Sequence, residues 1–370
     1  ADYAFAFCAG SSHMLDVAER DAGSEGLRLV FTIACLLGVV LMNASMGASM
    51  DLAQLRAQVA KPRGILLGLA CQIFVNPVAL FCFTVPFASQ LSIEVIVGAL
   101  VLSSCPSGTG SNVYTALTGG CLELSLVLTM CGSTLALVTM PMVLAFQFQV
   151  LMPRFLGFTD DEIARARPDY RVIGFAAVVV SVSILGGAAM QRICCARTPR
   201  AQRVFCAVGI TAGLSVAVLV VVAHFMVEEL RQVSVVALTS RPTWLMACVY
   251  NAFALIIGDL WSFLFKLGPR ERRTVAFEVG CQNISLAIAS ISRAFGEEWV
   301  NYLPFVVLYA ISGLLINGLA CCLYALVLPV RSSEACAPPR RMMGEDDTAG
   351  PATIADKPND MTAGTDADET

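Results

Sequence analysis

Long apolar blocks of roughly 20 to 28 residues recur along the chain, each of the length at which a helix crosses about 30 Å of hydrocarbon. They predict spans at about 27–50, 62–87, 93–119, 122–147, 171–190, 203–227, 243–267, 273–295 and 301–330, nine in all. The chain therefore reads as an all-α polytopic membrane protein. Two blocks are interrupted. In the third, the apolar run stops after about a dozen residues at Ser103-Ser104-Cys105-Pro106-Ser107-Gly108-Thr109-Gly110-Ser111-Asn112, where Pro and Gly forbid a regular helix. In the eighth, Phe277-Glu278-Val279-Gly280-Cys281-Gln282-Asn283 sets a carboxylate, two amides and a Gly into an apolar run.

Composition strengthens this reading: 57% hydrophobic and 14% charged residues, with a mean hydropathy of +0.73, exclude a water-soluble single domain. The formal charge of -4 divides unevenly, with 9 of the 28 acids after Arg331, so no basic field exists to attract nucleic acid. Residues 331–370, rich in Asp, Gly, Thr and Pro, are expected to form a disordered acidic tail. Residues 1–26 carry five acids, one Arg and no long apolar core, so no intact signal peptide is visible. The 15 cysteines form no CxxC pair, lie mostly inside apolar blocks and read as small apolar fillers.

Lys and Arg collect in cytoplasmic loops, and here they follow spans 1 (Arg56, Lys61, Arg63), 5 (Arg192, Arg197, Arg200, Arg203) and 7 (Lys266, Arg270, Arg272, Arg273). All lie on one side if the interrupted third block counts as one crossing. That places segment 1–26 outside and the tail in the cytoplasm, around a transmembrane domain at 27–330. Spans 3 and 8 are five apart, and an odd offset inverts direction. Two five-helix repeats, the first lacking its first helix, would then present the breaks facing each other near the midplane, as in inverted-repeat transporters.

Unwound backbone at membrane depth must find partners in protein, water or a ligand. The first break brings Thr109, Ser111 and Asn112. Ser125 and Thr129, four apart, share one face of span 4. The second break adds Glu278 and Gln282, and span 2 adds Gln72. One carboxylate with several neutral oxygens suits a hard monovalent cation better than a transition metal. Taken singly, Ser125 and Thr129 read as helix-packing hydroxyls, and Glu278 as a side chain snorkelling to the interface; only the constellation argues otherwise. Asp259 is left unassigned, and Pro77 and Pro141 read as kinks. No paired nucleophile and base or open metal site suggests an enzyme.

Two segments resemble the bile acid:sodium symporter family. Cys105-Pro106-Ser107-Gly108-Thr109-Gly110-Ser111-Asn112, followed by Leu124-Ser125, Thr129, Ser133-Thr134-Leu135-Ala136-Leu137 and Met140-Pro141, is similar to that family's CPGGxxSN, LS, STLLAL and MP series. Residues Arg273 to Asn283 resemble its RTxxFExGxQN segment. The resemblance runs from about 27 to 330. It implies a panel domain and a core domain, with the broken helices at 93–119 and 273–295 crossing in the core.

The resemblance further implies two sodium sites: Ser111, Asn112, Ser125, Thr129 and Glu278 for one, and Gln72, Glu278, Gln282 and the carbonyls of Val279 and Cys281 for the other. Half-helix amino ends near Thr109 and Asn283 would face an anionic substrate. Departures concern the cargo: Ser107 stands where a Gly is usual, Gly120 and Glu123 where an acidic pair is usual, Asn76 precedes Pro77 and Ser285 follows Asn283. The usual span 9 amide falls at Gly313, leaving Ser312 and Asn317 as nearby polar residues assigned to the substrate.

The expected function is sodium-coupled symport of an organic anion such as a bile acid or sulfated steroid, by alternating access at the plasma membrane. Alternatives are a same-fold carrier driven by protons or exporting its substrate, and a transport-inactive, receptor-like member. The expected partners are the anion and the lipid bilayer, and a homodimer stays open.

Overall fold

The computed structural model describes residues 33–34, 36–48, 56, 58–192, 204–205, 207–209, 211 and 239–327. The amino-terminal segment 1–26, most of the expected sixth span at 203–227 and the tail 331–370 lie outside the described residues, as do Arg197, Arg200 and Arg203.

Among the described residues the structure is helical, with one isolated antiparallel bridge between Ser107 and Gln282 in place of any strand. In chain order the elements are α1 (Leu36–Ala48), α2 (Pro62–Gln90), α3 (Ile93–Ser104), α4 (Gly110–Leu117) and α5 (Leu122–Phe155). They continue with α6 (Asp160–Arg165), α7 (Tyr170–Met190), α8 (Arg241–Leu264), α9 (Pro269–Gly280), α10 (Ile284–Ala294) and α11 (Pro304–Val327). Five of them, α2, α5, α7, α8 and α11, are long and apolar enough to cross a membrane. Apolar faces of these helices point outward, as at Ile256 and Leu260 on α8 and Leu314, Leu315 and Leu319 on α11. Lipid, as apolar as these side chains, is a suitable solvent for such faces.

Both expected interruptions occur. Pro106 disfavours helical backbone at Cys105, which is extended (φ -70°, ψ 151°), and α3 stops there. Every residue from Ile96 to Ser104 is buried, so α3 runs through the interior. Pro269 starts α9 at a position where its missing N–H costs nothing, and Glu271 Oε2 accepts the Gly268 N–H at 3.1 Å. After α9 ends at Gly280, Asn283 opens α10, its Oδ1 accepting the Leu286 N–H at 3.0 Å.

α2 and α5 are continuous but not uniform. A wide turn at Cys71–Val75 is closed by the Asn76 N–H on the Cys71 carbonyl, immediately before Pro77. Such a turn accommodates a proline ring that would strike the preceding carbonyl of a regular helix. A second wide turn, Gln147–Leu151, lets α5 run on to Phe155, beyond the boundary at 147 that hydropathy gave.

The broken pair α3–α4 and α9–α10 forms the centre, with α5 packed across α4 and α9. α8 lies along α9, α11 along α8 and α3, and α7 along α5 and α10. The approach of α8 to α9 depends on Gly258, where a Cβ would sit 2.8 Å from the Ala276 Cα.

Candidate cation site at the helix crossing

The two breaks meet through their backbones. The Gly108 N–H donates to the Cys281 carbonyl at 2.8 Å, and the Asn283 N–H donates to the Pro106 carbonyl at 2.9 Å. Main-chain groups freed by the helix ends thus satisfy one another across a sequence separation that no local pattern reveals. Gly108 permits this approach, because a Cβ there would lie 3.1 Å from the Gln282 carbonyl oxygen and 3.3 Å from the Asn283 Cα.

One turn before the second break, Glu278 is 1% exposed and surrounded by hydroxyls. Its Oε1 accepts from Ser111 Oγ at 2.7 Å, Ser125 Oγ at 2.5 Å and Thr129 Oγ1 at 3.1 Å. Its Oε2 accepts from Thr129 Oγ1 at 3.1 Å and from Ser107 Oγ. Ser107, Ser111 and Ser125 are fully buried and Thr129 is 1% exposed. Thr129 also donates back to the Ser125 carbonyl at 3.0 Å, so the helix-packing reading and the site reading hold for one hydroxyl. Glu278 does not snorkel to an interface.

Four of the five residues expected around one cation therefore come together, and Ser107 joins them. Asn112 stands apart: adjacent helix positions differ by about 100°, and its Nδ2 faces Met46 Sδ at 4.0 Å while its Oδ1 has no hydrogen-bond partner.

The residues expected around a second cation have a different character. Gln72 is 3% exposed, and neither its Oε1 nor its Nε2 has a hydrogen-bond partner. It borders a cavity of about 10 Å³, room for about one water molecule, together with Ser104, Cys105, Pro106 and Gly132. Gln282 donates from Nε2 to the Val279 carbonyl at 2.8 Å, and its Oε1 has no partner. The Cys281 carbonyl receives the Gly108 N–H already described, and both Glu278 oxygens turn to the hydroxyl cluster.

Of the residues assigned to the substrate, Thr109 donates to Met42 Sδ at 3.0 Å and Asn283 caps α10. Ser312 donates to the carbonyls of Tyr309 at 3.2 Å and Ala247 at 3.4 Å. Asn317 Nδ2 donates to Asn251 Oδ1 at 3.4 Å, and Asn317 Oδ1 has no partner. These last two lie in the α8–α11 contact, where Gly313 leaves room for Asn251, whose Nδ2 would be 3.0 Å from an added Cβ.

Three supports were not foreseen from sequence. Tyr309 on α11 donates its hydroxyl to the Gly280 carbonyl at 2.5 Å, satisfying the last carbonyl of α9. A phenol inside an apolar span needs such a partner, which is the signal that could have found it. Arg273, 6% exposed, donates to the Thr118 carbonyl at 2.6 Å and lies over the Tyr324 ring. Arg270 holds the Gly119 and Gly120 carbonyls at 3.1 Å. The carboxyl end of α4 is thereby clamped by α9. Arg270, Arg272 and Arg273, expected in a loop, instead occupy the first turns of α9. Arg272 forms a two-pronged ion pair with Asp259 at 2.5 and 3.2 Å, which gives that acid its partner.

The sodium bile acid symporter family model matches residues 36–234, more than half of the chain. The sodium-dependent organic anion transporter of Rattus norvegicus is 28% identical over 291 residues, covering 78% of this chain and 73% of the relative. The hepatic sodium/bile acid cotransporter of Rattus norvegicus is 26% identical over 319 residues, covering 86% of this chain and 82% of the relative. The ileal sodium/bile acid cotransporter of Homo sapiens is 25% identical over 286 residues, covering 77% and 76%.

Proposed function

This chain belongs to the sodium bile acid symporter family, and we propose that it is a secondary active transporter coupling sodium to the uptake of an organic anion such as a bile acid or sulfated steroid. The family and the similar proteins are transporters and not enzymes. The observation that carries the reading is the buried carboxylate of Glu278, ringed by hydroxyls from both broken helices and from α5 at a backbone crossing. A hydroxyl has one proton and two lone pairs, so each group that donates to the carboxylate can also present an oxygen to an ion.

The chemistry of the donors fits sodium. They are hard oxygens with a single negative charge among them, as a monovalent cation requires. The first ion is assigned to Ser111, Ser125, Thr129 and Glu278, with the unpartnered Oδ1 of Asn112 as a further oxygen. A second is assigned to Gln72, Gln282, Glu278 and the carbonyls of Val279 and Cys281. The unpartnered oxygens of Gln72 and Gln282 support it, because a buried amide oxygen without a donor gains most from a cation. The anion is assigned to the half-helix amino ends near Thr109 and Asn283, with Ser312 and Asn317 as the polar positions of α11.

Coupling follows from differential affinity. Sodium draws the hydroxyls, the carboxylate and the break backbones into one geometry, and the anion binds that geometry better than its alternative. The two broken helices, held to α5 through the site, then move with it as a core against the other helices, in alternating access with the amino terminus outside. Two sodium ions with one monovalent anion carry one net charge, worth about 2.3 kcal/mol per 100 mV.

Accumulation of labelled bile salts and sulfated steroids in proteoliposomes, with an inward sodium gradient or with choline in its place, tests the reading. Uptake should require sodium and produce an inward current. Uptake that ignores sodium and follows a proton gradient would overturn it.

A further inference from the structure

The sodium assignment above leaves out Ser107, whose side chain is fully buried inside the same cluster. Its backbone is pinned on both sides of the residue. Ser107 pairs with Gln282 in the antiparallel bridge, the preceding Pro106 carbonyl accepts from Asn283 at 2.9 Å and the following Gly108 N–H donates to Cys281 at 2.8 Å. A side chain with one rotatable bond, held on such a backbone, keeps its oxygen in place at little entropic cost. That oxygen donates to Glu278 Oε2 and stands 3.5 Å from Thr129 Oγ1.

The spacing is informative. Oxygens that hold a hard cation of this size at about 2.3–2.6 Å, at right angles to one another, lie about 3.3–3.7 Å apart. Ser107 Oγ and Thr129 Oγ1 already have that separation. The bond to Oε2 uses the hydroxyl proton and leaves both lone pairs of Ser107 for the ion.

We propose that the Ser107 hydroxyl is a direct ligand of the coupling cation, an added oxygen that tightens the site and sets its preference for sodium and lithium over potassium. The inference rests on the sodium reading and deepens it. Ligand number and rigidity are what discriminate between hard cations of different size, and an added oxygen on a pinned backbone raises both. The other hydroxyls of the cluster sit on helices α4 and α5. Ser107 alone is contributed by the unwound segment itself, so the ion also ties that segment to α5 through Thr129.

The test uses the full chain, purified in detergent, with thermal unfolding followed across titrations of NaCl, LiCl and KCl at constant ionic strength in choline. A ligand at free concentration L that binds only the folded protein stabilises it by RT ln(1 + L/Kd), so the rise of the transition temperature with salt concentration yields an apparent affinity without transport. In wild type, sodium and lithium should stabilise and potassium should not. Ser107→Ala should weaken sodium by about 10- to 100-fold, the scale of one bond to a charged group, and should narrow the gap between sodium and potassium. Ser107→Gly, which introduces no new atom, should do the same and serves if the alanine protein does not fold.

In transport, the half-saturating sodium concentration should rise in step while the KM for the anion at saturating sodium stays put. Sodium stabilisation of wild type with unchanged sodium affinity in both variants would make the hydroxyl a structural bond only, and would overturn this inference alone. Absence of any sodium effect on wild type would overturn the sodium reading beneath it.

Discussion

Two polar regions border the helix crossing, and they are satisfied in opposite ways. Around Glu278, every hydroxyl proton of Ser107, Ser111, Ser125 and Thr129 has an acceptor and both carboxylate oxygens have donors. Around Gln72 and Gln282, three buried amide atoms have none. A satisfied cluster holds the fold together whether or not an ion is bound, because its bonds are intramolecular. Unsatisfied amides add nothing to the protein alone and become favourable only when a ligand supplies what they lack. Stability and ion affinity should accordingly separate between the two regions.

The largest effect should follow loss of the shared carboxylate. Glu278→Gln removes the cluster's only negative charge and leaves the Ser107 and Ser125 hydroxyls to one neutral amide oxygen, while Thr129 and Ser111 keep the carbonyls of Ser125 and Gly108 as acceptors. Removing one member of a buried charged network costs about 3–5 kcal/mol, so sodium-dependent uptake should fall by more than about 100-fold. Near-wild-type sodium dependence in this variant would sink the assignment of the first region.

Next in size is a paired comparison. Ser125→Ala should lower unfolding stability in choline by about 1.5–3 kcal/mol, since it breaks a bond to a charged group. Gln72→Leu should leave stability unchanged or raise it, since it removes two unpartnered buried atoms, yet it should still weaken sodium binding. Denaturation in choline and sodium titration of the same samples separate the two quantities. Equal destabilisation by both changes would erase the distinction drawn between the regions.

A smaller effect is expected at the crossing that joins them. Gly108→Ala places a methyl 3.1 Å from the Gln282 carbonyl and should push the breaks apart at a cost of about 1–3 kcal/mol. Both regions share this backbone, so sodium cooperativity in uptake should fall along with stability.

The smallest effect lies away from both. On α6, bonds from the Thr159 backbone N–H and hydroxyl hold the Glu162 carboxyl below its ordinary range. A depressed carboxyl pKa stabilises the fold above the ordinary value, and that stabilisation is lost as pH falls through the lowered one. Acidification should therefore loosen the start of α6, and Glu162→Gln should remove this component of the pH dependence. Hydrogen exchange at 160–165 reads the first, and sodium affinity at neutral pH should not change.

Some of this was legible from local pattern. The run of Pro106, Gly108 and Gly110 between Ser103 and Asn112 disfavours a continuous helix, and Phe277 to Asn283 carries too many polar groups for an ordinary span, so the interruptions at both places were readable. Glu278 taken singly read as a side chain snorkelling to the interface, and it was readable as a buried acid with a task only through the polar residues around both breaks. The wide turns at Cys71–Val75 and Gln147–Leu151 were not, because periodicity over a few residues does not distinguish them from regular helix. Ser107 was set aside as a departure from the family pattern, and Tyr309 and Arg273 passed as an apolar-span residue and a loop charge. Their roles depend on partners 29 to 171 positions away.

By itself, then, the chain's sequence indicated that the protein is a helical membrane protein, where two of its helices break and which few polar atoms are too costly to leave in hydrocarbon. Those are consequences of backbone geometry and solvation, which act residue by residue. Only the tertiary structure decided which freed main-chain groups pair with which, that Glu278 gives both oxygens to the hydroxyls while the Gln72 amide has no hydrogen-bond partner, and that the α9 arginines close the end of α4. Hydrogen bonds are short and directional, and whether two groups come within 3 Å depends on how helices pack, which no single stretch of sequence specifies.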